Sequence, residues 1–362
     1  MVRVKKRLRR LAYGAVAAWQ GDDAPASFHA WGQARALEKT VAPMRPSNPR
    51  YRIVFTGLTR GGFLCQGKVS NMQFYPLLAA PLAAQGIEMH FACTEGAMKR
   101  LTDDRPAAVV HIYNEDALAK QGVTFERPYD LAPHVVELNT QATARLMSHK
   151  GRFSRFLEER GILTPARIET PRAGERVFSN AILGSKEGAH LVGADSDPMP
   201  FDPERHNTAF IDTRFTYGGE DYYTSIRMMS VGGTMLHAGC RASRVTKGNP
   251  SVTASDTPVD PDFINALQEA IVVPHTAAMR DLAFRITDGL DLGVFAHDVL
   301  VCRETGQLYV TESGFKMDDH SFRKHLIGIK DQIPSLRLIF DDAAPQNLAD
   351  ALMKELGLEK RA

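Results

Sequence analysis

Residues 294–312 read VFAHDVLVCRETGQLYVTE, two apolar runs separated by a short polar segment. The runs have strand character, and the Glu304-Thr-Gly306 segment between them is typical of a hairpin turn. The two strands are therefore predicted to be antiparallel neighbours, with Asp298 in the first and Glu312 in the second. Carboxylates on facing strands can hold Mg²⁺, which commonly binds one or two carboxylates plus substrate phosphates. Pairing of each carboxylate with an arginine, or the capping of a turn, is the alternative that the spacing leaves open.

A second predicted hairpin lies upstream, in a region of short strands. Residues 222–231 and 234–238 have strand character, and Val231-Gly-Gly-Thr234 between them is a strong hairpin signal. Cationic side chains are frequent in this region, and phosphoryl transfer depends on positioning and on neutralisation of phosphate charge. These cations are Lys150, Lys186, Arg227, Arg241, Arg244 and Lys247. The loop at 183–188 can lay backbone N–H groups over phosphates, although similar loops are common as plain turns.

Residues 51–138 show a different pattern, in which apolar strands alternate with helical segments. Strand character occurs at 51–55, 88–92, 108–112 and 134–138, and residues 71–85 have a helical pattern. Such alternation predicts a parallel α/β layer. The predicted fold class is therefore α/β, with α+β lobes that follow a small parallel α/β domain.

Three longer helices are predicted in the rest of the chain. The apolar spacing at 140–160 indicates one continuous helix, ended by Gly161 and Pro165. Residues 262–288 are predicted to form a second helix, and residues 345–356 a third.

Composition limits the classes of protein that this chain can belong to. The 44 basic and 42 acidic residues give a net charge of +2, which does not support a dedicated nucleic-acid binder. The four cysteines are scattered, without the spacing of a disulfide framework or a zinc site. No apolar run approaches the roughly 20 residues of a membrane span. A cytoplasmic location is expected.

The N-terminus is strongly basic, because six of the first ten residues are Lys or Arg. A basic amphipathic helix that lies on an anionic membrane surface or on another domain is one interpretation. A solvated tail is another, and a signal peptide is a third. Residues 1–50 are therefore treated as a basic N-terminal helix and linker.

The serial order of the motifs resembles that of the ATP-grasp superfamily. Residues 137–150 (ELNTQATARLMSHK) and 156–165 (FLEERGILTP) resemble the start of an ATP-grasp domain, in which Asn opens a helix, Lys follows, and a Gly-Ile-x-x-Pro segment leads into a small lobe. Residues 219–227 (GEDYYTSIR) resemble the family's Gly-x-Asp-x-Arg strand. Residues 292–298 and 309–312 resemble its two metal-carboxylate strands. The nearest branch contains the ribosomal-protein glutamate ligases and glutathione synthetases.

This resemblance implies that ATP and Mg²⁺ are bound and assigns roles to particular residues. The implied nucleotide-binding residues are Lys150, Gly184, Ser185, Lys186, Phe210, Ile211 and Asp221. The implied catalytic residues, facing the γ-phosphate or an acyl-phosphate, are Arg227 and Arg241. The implied metal ligands are Asp298 and Glu312. The implied domains are residues 51–138, an ATP-grasp domain at 139–330 with its small lobe at about 165–235, and a C-terminal helical segment at 331–362.

The chain departs from the family's pattern at two places. Where the family has a second lysine on the strand before the glycine-rich loop, this chain has Ser179 and Asn180, and Lys186 is the candidate substitute. Where the metal strand has an asparagine, this chain has Gly314, and Asp318 or Asp319 is the candidate replacement. Both changes remove a group that would stabilise phosphate or metal.

The resemblance implies an ATP-dependent carboxylate–amine ligase that acts through an acyl-phosphate. The partners of such an enzyme are small-molecule or peptide carboxylate and amine substrates, and the oligomeric state, a homo-oligomer included, stays open. The first alternative is an ATP-grasp pseudoenzyme or nucleotide-binding regulatory protein without turnover. A second is a different α/β enzyme, such as a phosphotransferase.

Overall fold

The computed structural model describes residues 28–59, 62–63, 74–102, 105–112, 127, 129–183, 189–192, 201–248, 250–315 and 320–358. The chain divides into two compact units. Unit 1 contains the described residues up to Ala144, together with Asp291–Gly293 and the segment from Leu352 onward. Unit 2 contains Arg145–Leu290 and Val294–Ala351. Within the described residues, no helix combines the length and apolar character needed to cross a membrane.

Unit 1 is built on a four-stranded parallel sheet, as the sequence predicts. Its strands are β1 Tyr51–Thr56, β4 Ile87–Ala92, β5 Ala107–His111 and β6 Val135–Leu138, in the order β4-β1-β5-β6. A short antiparallel pair is formed by β2 Leu58–Thr59 and β3 Gly62–Phe63. Strands β1, β4 and β5 are buried at every position, which is typical of parallel strands that are covered on both faces.

Helices cover and connect these strands. They are α1 Phe28–Val41, α2 Ala79–Ala84, preceded by a 3₁₀ turn at Tyr75–Leu78, and α3 Glu95–Thr102. Gly86 follows α2 with a φ of +73°, a left-handed conformation that suits glycine after a helix. Of the helix predicted at 71–85, residues 71–73 lie outside the described residues, and the remainder forms the 3₁₀ turn and α2.

Unit 2 contains two antiparallel sheets. The larger one joins β10 Phe215–Tyr217, β11 Glu220–Val231, β12 Thr234–Arg244, β13 Val294–Val301 and β14 Leu308–Gly314. Strand β11 pairs with β12 on one side and with β13 on the other, and β14 follows β13. Both predicted hairpins are confirmed, since β11 pairs with β12 across Val231↔Thr234 and β13 pairs with β14 across Val301↔Leu308.

The smaller sheet of unit 2 has three strands. They are β7 Val177–Asn180, β8 His190–Val192 and β9 His206–Ala209, in the order β8-β7-β9. Phe210, Ile211 and Asp212 follow β9 and lie outside this sheet.

The predicted helix at 140–160 is wrong as a continuous element. It is divided into α4 Gln141–Ser148 and α5 Lys150–Glu158. His149 separates them with φ −106° and ψ 98°, an extended conformation. Its ring accepts a hydrogen bond from the backbone N–H of Arg152, and its backbone forms a β-bridge with Leu183. Side-chain capping and backbone bridging therefore override the helical periodicity at this residue.

The predicted helix at 262–288 is interrupted as well. It becomes α6 Pro261–Leu267, a π-helical turn at Gln268–Val272, a 3₁₀ turn at Val273–His275 and α7 Thr276–Thr287. Pro274 explains the change, because proline has no N–H to donate and its ring disfavours a regular α-helix. The remaining helices are α8 His320–Leu326, α9 Arg337–Phe340 and α10 Ala344–Glu355, with 3₁₀ turns at Ile327–Gln332 and Pro334–Leu336.

Candidate functional site

Three charged side chains form a line across the larger sheet of unit 2. Arg227 on β11 lies opposite Asp298 on β13, and Asp298 lies opposite Glu312 on β14. Directly opposed residues in an antiparallel pair have Cβ atoms about 4.5–5.5 Å apart, so these side chains are close neighbours. The register shifts next to this pair, between Asp298 and Val299. Such bulges often re-aim side chains beside active sites.

Arg227 and Asp298 form a close ion pair. The Nε–Oδ1 distance is 2.5 Å and the Nη2–Oδ2 distance is 2.9 Å. Both side chains are largely buried, with 12% and 15% of their surface exposed. The pairing of a strand carboxylate with an arginine, which the sequence leaves open, is thus observed for Asp298. The same pairing fixes the direction of the Asp298 carboxylate.

Glu312 is in a less favourable electrostatic position. Burial and the neighbouring Asp298 carboxylate raise the pKa of Glu312 above its ordinary value. The Lys150 ammonium, whose Nζ lies 3.9 Å from Oε2 of Glu312, offsets this only in part. We call Lys150, Glu312, Asp298 and Arg227 the charged row. Its two central members are carboxylates that repel each other.

This pair of carboxylates fits Mg²⁺. The donor atoms are oxygens, and a divalent cation would relieve the repulsion that raises the pKa of Glu312. Among the described residues no group of three or more His, Cys, Asp or Glu side chains could hold a metal. The remaining positions would therefore go to water and to phosphate oxygens, as is usual for Mg²⁺. Gly314 offers no side-chain oxygen, and Asp318 and Asp319 lie outside the described residues.

Lys150 reaches the charged row because of the helix break at His149. It is the first residue of α5, and its backbone N–H donates to the Ile182 carbonyl at 3.1 Å. Its residue surface is only 7% exposed. The sequence places this lysine inside a long helix, whereas the structure places it at a helix start that is anchored to the segment after β7.

Three members of the charged row line a cleft together with apolar side chains. The apolar lining includes Phe178, Phe210, Ile211, Leu300, Val310 and Val252, and Lys150, Asp298 and Glu312 lie in the same lining. Phe210 and Ile211, two of the predicted nucleotide-binding residues, thus share a cleft with Lys150 and with the predicted metal ligands. Phe210 is held by the Arg176 guanidinium, 4.0 Å from its ring centre, and by an edge-on contact with Tyr223.

Other predicted residues are not brought into this cleft. Asp221 lies near the start of β11 and accepts a hydrogen bond from Thr216 at 2.5 Å. Arg241 lies on β12 as the cross-strand neighbour of Ser225, and its guanidinium is 5.9 Å from the centre of the Phe322 ring. Ser225 lines the cleft, whereas Asp221 and Arg241 do not. Gly184, Ser185 and Lys186 lie outside the described residues.

Ser179 and Asn180, which occupy the place of the family's second lysine, have different surroundings. Ser179 is buried and accepts a hydrogen bond from Nε of Arg205 at 2.9 Å, whereas Asn180 lines the cleft. His206, which the sequence analysis did not single out, pairs with Asn180 across β7 and β9 and also lines the cleft. Burial and the charges of Lys150 and Arg167 lower the pKa of His206 to about 4. Its neighbours come from distant segments, so no local motif indicates this position.

Several solved structures are similar to this chain. D-cycloserine synthetase matches with 14% identity and a TM-score of 0.47, covering 84% of this chain and 99% of that one. A D-alanine–D-alanine ligase from Bacillus anthracis in complex with ATP matches with 13% identity and a TM-score of 0.38, covering 82% and 98%. A RimK domain ATP-grasp protein from Sphaerobacter thermophilus matches with 18% identity and a TM-score of 0.41, covering 83% and 99%. No protein-family model and no curated protein matches the chain.

The sheets of the chain have the predicted arrangement. A parallel sheet comes first in the sequence, and the two antiparallel sheets that line the cleft follow it. The two carboxylate strands are antiparallel neighbours, as predicted. The predicted fold class, α/β with α+β lobes that follow a small parallel α/β domain, is confirmed.

Proposed function

We propose that unit 2 binds ATP with Mg²⁺ and forms an amide or related bond between a carboxylate and an amine. The observation that supports this most is that one cleft is lined both by Lys150, Asp298 and Glu312 and by apolar side chains, Phe210 and Ile211 among them. An adenine ring suits Phe210 and Ile211, and a phosphate chain suits Lys150. Phosphoryl transfer needs this combination of positioning and charge neutralisation.

Each member of the charged row has a role in this proposal. Asp298 and Glu312 would hold Mg²⁺, which when bound draws charge from the phosphate oxygens. Lys150 neutralises a second side of the phosphate chain. Arg227 orients the Asp298 carboxylate through its two contacts and adds positive charge beside it.

The reaction would have two steps. A substrate carboxylate oxygen attacks the γ-phosphorus of ATP, so that an acyl-phosphate forms and ADP leaves. An amine nitrogen then attacks the acyl carbon, the new C–N bond forms, and phosphate leaves while the nitrogen loses a proton. Within the ATP-grasp superfamily, the motif order favours the branch of ribosomal-protein glutamate ligases and glutathione synthetases, whose substrates are amino acids and peptides.

Calorimetric titration with ATP tests the nucleotide part of this proposal. Lys150→Ala should weaken ATP binding in the presence of Mg²⁺ about 10- to 100-fold, because a charge-assisted hydrogen bond contributes about 1.5–3 kcal/mol. Lys330→Ala is the matched control, since Lys330 is an exposed lysine away from the cleft. Equal affinities for the parent, the Lys150 variant and the control would contradict the role of Lys150.

A nucleotide-binding protein without turnover is the second candidate. Asn180 in the cleft and Gly314 at the end of the metal strand favour it, because neither supplies the cation or the ligand that the family's pattern includes. Release of ADP distinguishes the two candidates when the protein is incubated with ATP, Mg²⁺, and a panel of carboxylates and amines. The ligase predicts ADP release that depends on one carboxylate and one amine. Tight ATP binding with no ADP release for any pair would favour the second candidate.

A further inference from the structure

A second pocket lies in unit 2, and His206 lines both this pocket and the cleft. Its volume is about 310 Å³, at the lower end of the range of about 300–1,000 Å³ for small-molecule pockets. We call it the cationic pocket because four arginines line it, Arg152, Arg155, Arg167 and Arg205. Two histidines, His149 and His206, also line it. No Asp or Glu is among the described residues that line it.

The arginines converge from three separate segments. Arg152 and Arg155 lie three residues apart on α5, so they share one face of that helix. Arg167 is fixed by a backbone bridge to Thr208 on β9, and Arg205, just before β9, donates to Ser179 at 2.9 Å. Among the described residues, no carboxylate forms an ion pair with Arg152, Arg155 or Arg167.

The histidines of the pocket are affected by this concentration of positive charge. Burial, then the charge of Arg152, lowers the pKa of His149. Burial, then the charges of Lys150 and Arg167, lowers the pKa of His206 to about 4. Like charges gathered in one place raise the free energy of the folded state, so an anion bound there would be stabilised by all of them.

We propose that the cationic pocket binds the phosphate group of a small molecule at a site separate from the ATP cleft. The planar guanidinium presents several N–H groups in a fork that matches phosphate oxygens. A tetrahedral anion with two charges can accept from arginines on several sides, whereas a planar carboxylate satisfies fewer of them. Because His206 lines both the pocket and the cleft, a phosphate bound in the pocket would lie next to the cleft.

Calorimetric titration of the full chain with inorganic phosphate tests this inference, at fixed ionic strength and without nucleotide or Mg²⁺. The double variant Arg152→Gln/Arg167→Gln should weaken phosphate binding about tenfold, because it removes two charge-assisted donors that are partly screened by solvent. The matched control is Arg280→Gln/Arg337→Gln, which removes the same charge from exposed helical positions outside the pocket. The control should retain the affinity of the parent within about twofold.

Two further titrations, with glycerol 2-phosphate and with citrate, identify the chemical class of the ligand. Glycerol 2-phosphate that binds more tightly than inorganic phosphate indicates a phosphate monoester as the ligand, and weaker binding indicates free phosphate; both results support the site. Citrate that binds as tightly as the phosphate ligands would overturn the selectivity for phosphate.

Three outcomes would overturn the proposal as a whole. They are no phosphate binding by the parent, an equal loss in both double variants, and a loss with Lys150→Ala but not with the pocket variant. The last outcome would place the phosphate in the cleft. The site does not depend on the proposed ligase activity, so failure of either one leaves the other to be judged by its own experiment.

Discussion

Glu88 in unit 1 and Glu312 in unit 2 are both strand carboxylates with charged neighbours, but their surroundings act in opposite directions. Burial opposes ionisation of Glu88, and hydrogen bonds and charge from Arg52 and His90 outweigh it, so its pKa is lowered. The Arg52 Nε lies 2.6 Å from Glu88, and Arg105 adds a contact at 3.4 Å. Burial and the Asp298 carboxylate instead raise the pKa of Glu312.

The difference separates a structural ion pair from a site that is prepared for a ligand. Glu88 is only 8% exposed, and cations contact it from both β1 and α3–β5 segments of unit 1. Glu312 has a carboxylate on one side and a lysine at 3.9 Å on another. Perturbed carboxylates in clefts are typical of functional sites, because a ligand supplies the missing charge.

The largest expected effect is on stability in unit 1. Glu88→Gln should destabilise the protein by about 3–5 kcal/mol, since it removes the charge that lies 2.6 Å from Nε of the buried Arg52. Urea unfolding measures the change, and Asp130→Asn, at an exposed carboxylate of the same unit, is the control. A loss no larger than that of the control would show that the Glu88 network is not a structural ion pair.

The next largest effect is on turnover in unit 2. Asp298→Asn should lower the rate of ADP formation at least about 100-fold, since in the proposed reaction this carboxylate holds the Mg²⁺ that would stabilise developing phosphate charge. Circular dichroism should show a folded protein, and Asp281→Asn, on the surface of α7, should keep the parent rate. A variant at Asp298 with the full rate would exclude this carboxylate as a metal ligand.

The smallest effect is the pH dependence of Glu312. Because its pKa in the folded state is raised, the protonated form stabilises the fold at low pH, and this contribution is lost as pH rises from the ordinary value of 4.5 through the folded pKa. Glu312→Gln should therefore raise Tm by about 1–2 °C at pH 7 and leave it unchanged at pH 4, the gain being small because solvent screens a side chain that is 35% exposed. Differential scanning calorimetry measures both values.

For Glu88 we expect the opposite pH dependence of stability in the same calorimetric experiment. Its lowered pKa stabilises the fold above pH 4.5, and that stabilisation is lost as pH falls. The cost of Glu88→Gln should therefore be largest at neutral pH. Parallel pH profiles for the two variants would contradict the distinction between the two carboxylates.

The parts of the fold that depend on local signals are visible in the sequence. The turn at 304–306 makes β13 and β14 antiparallel neighbours, so the proximity of Asp298 and Glu312 is predictable from a short stretch, whereas the register shift after Asp298 that sets them directly opposite each other is not. The apolar strands of unit 1 are predictable for the same reason, because each is a continuous run between turn residues.

The parts of the fold that depend on contacts between distant segments are not visible in the sequence. The helix break at His149 requires the backbone bridge to Leu183, 34 positions further on, and the helical periodicity gives no sign of it. His206 meets Asn180 only because β9 pairs with β7, and Arg167 meets Thr208 through an isolated bridge. The position of His206, which lines both the cleft and the cationic pocket, therefore depends on tertiary structure.

A crystal structure with a non-hydrolysable ATP analogue and Mg²⁺ would show whether the cleft holds the nucleotide and the metal as proposed. We predict Mg²⁺ at about 2.0–2.1 Å from oxygens of Asp298 and Glu312. The adenine should lie against Phe210 and Ile211, and the phosphate chain should lie beside Lys150. A nucleotide bound elsewhere, or bound in the cleft with no metal at the two carboxylates, would rule out the proposed site.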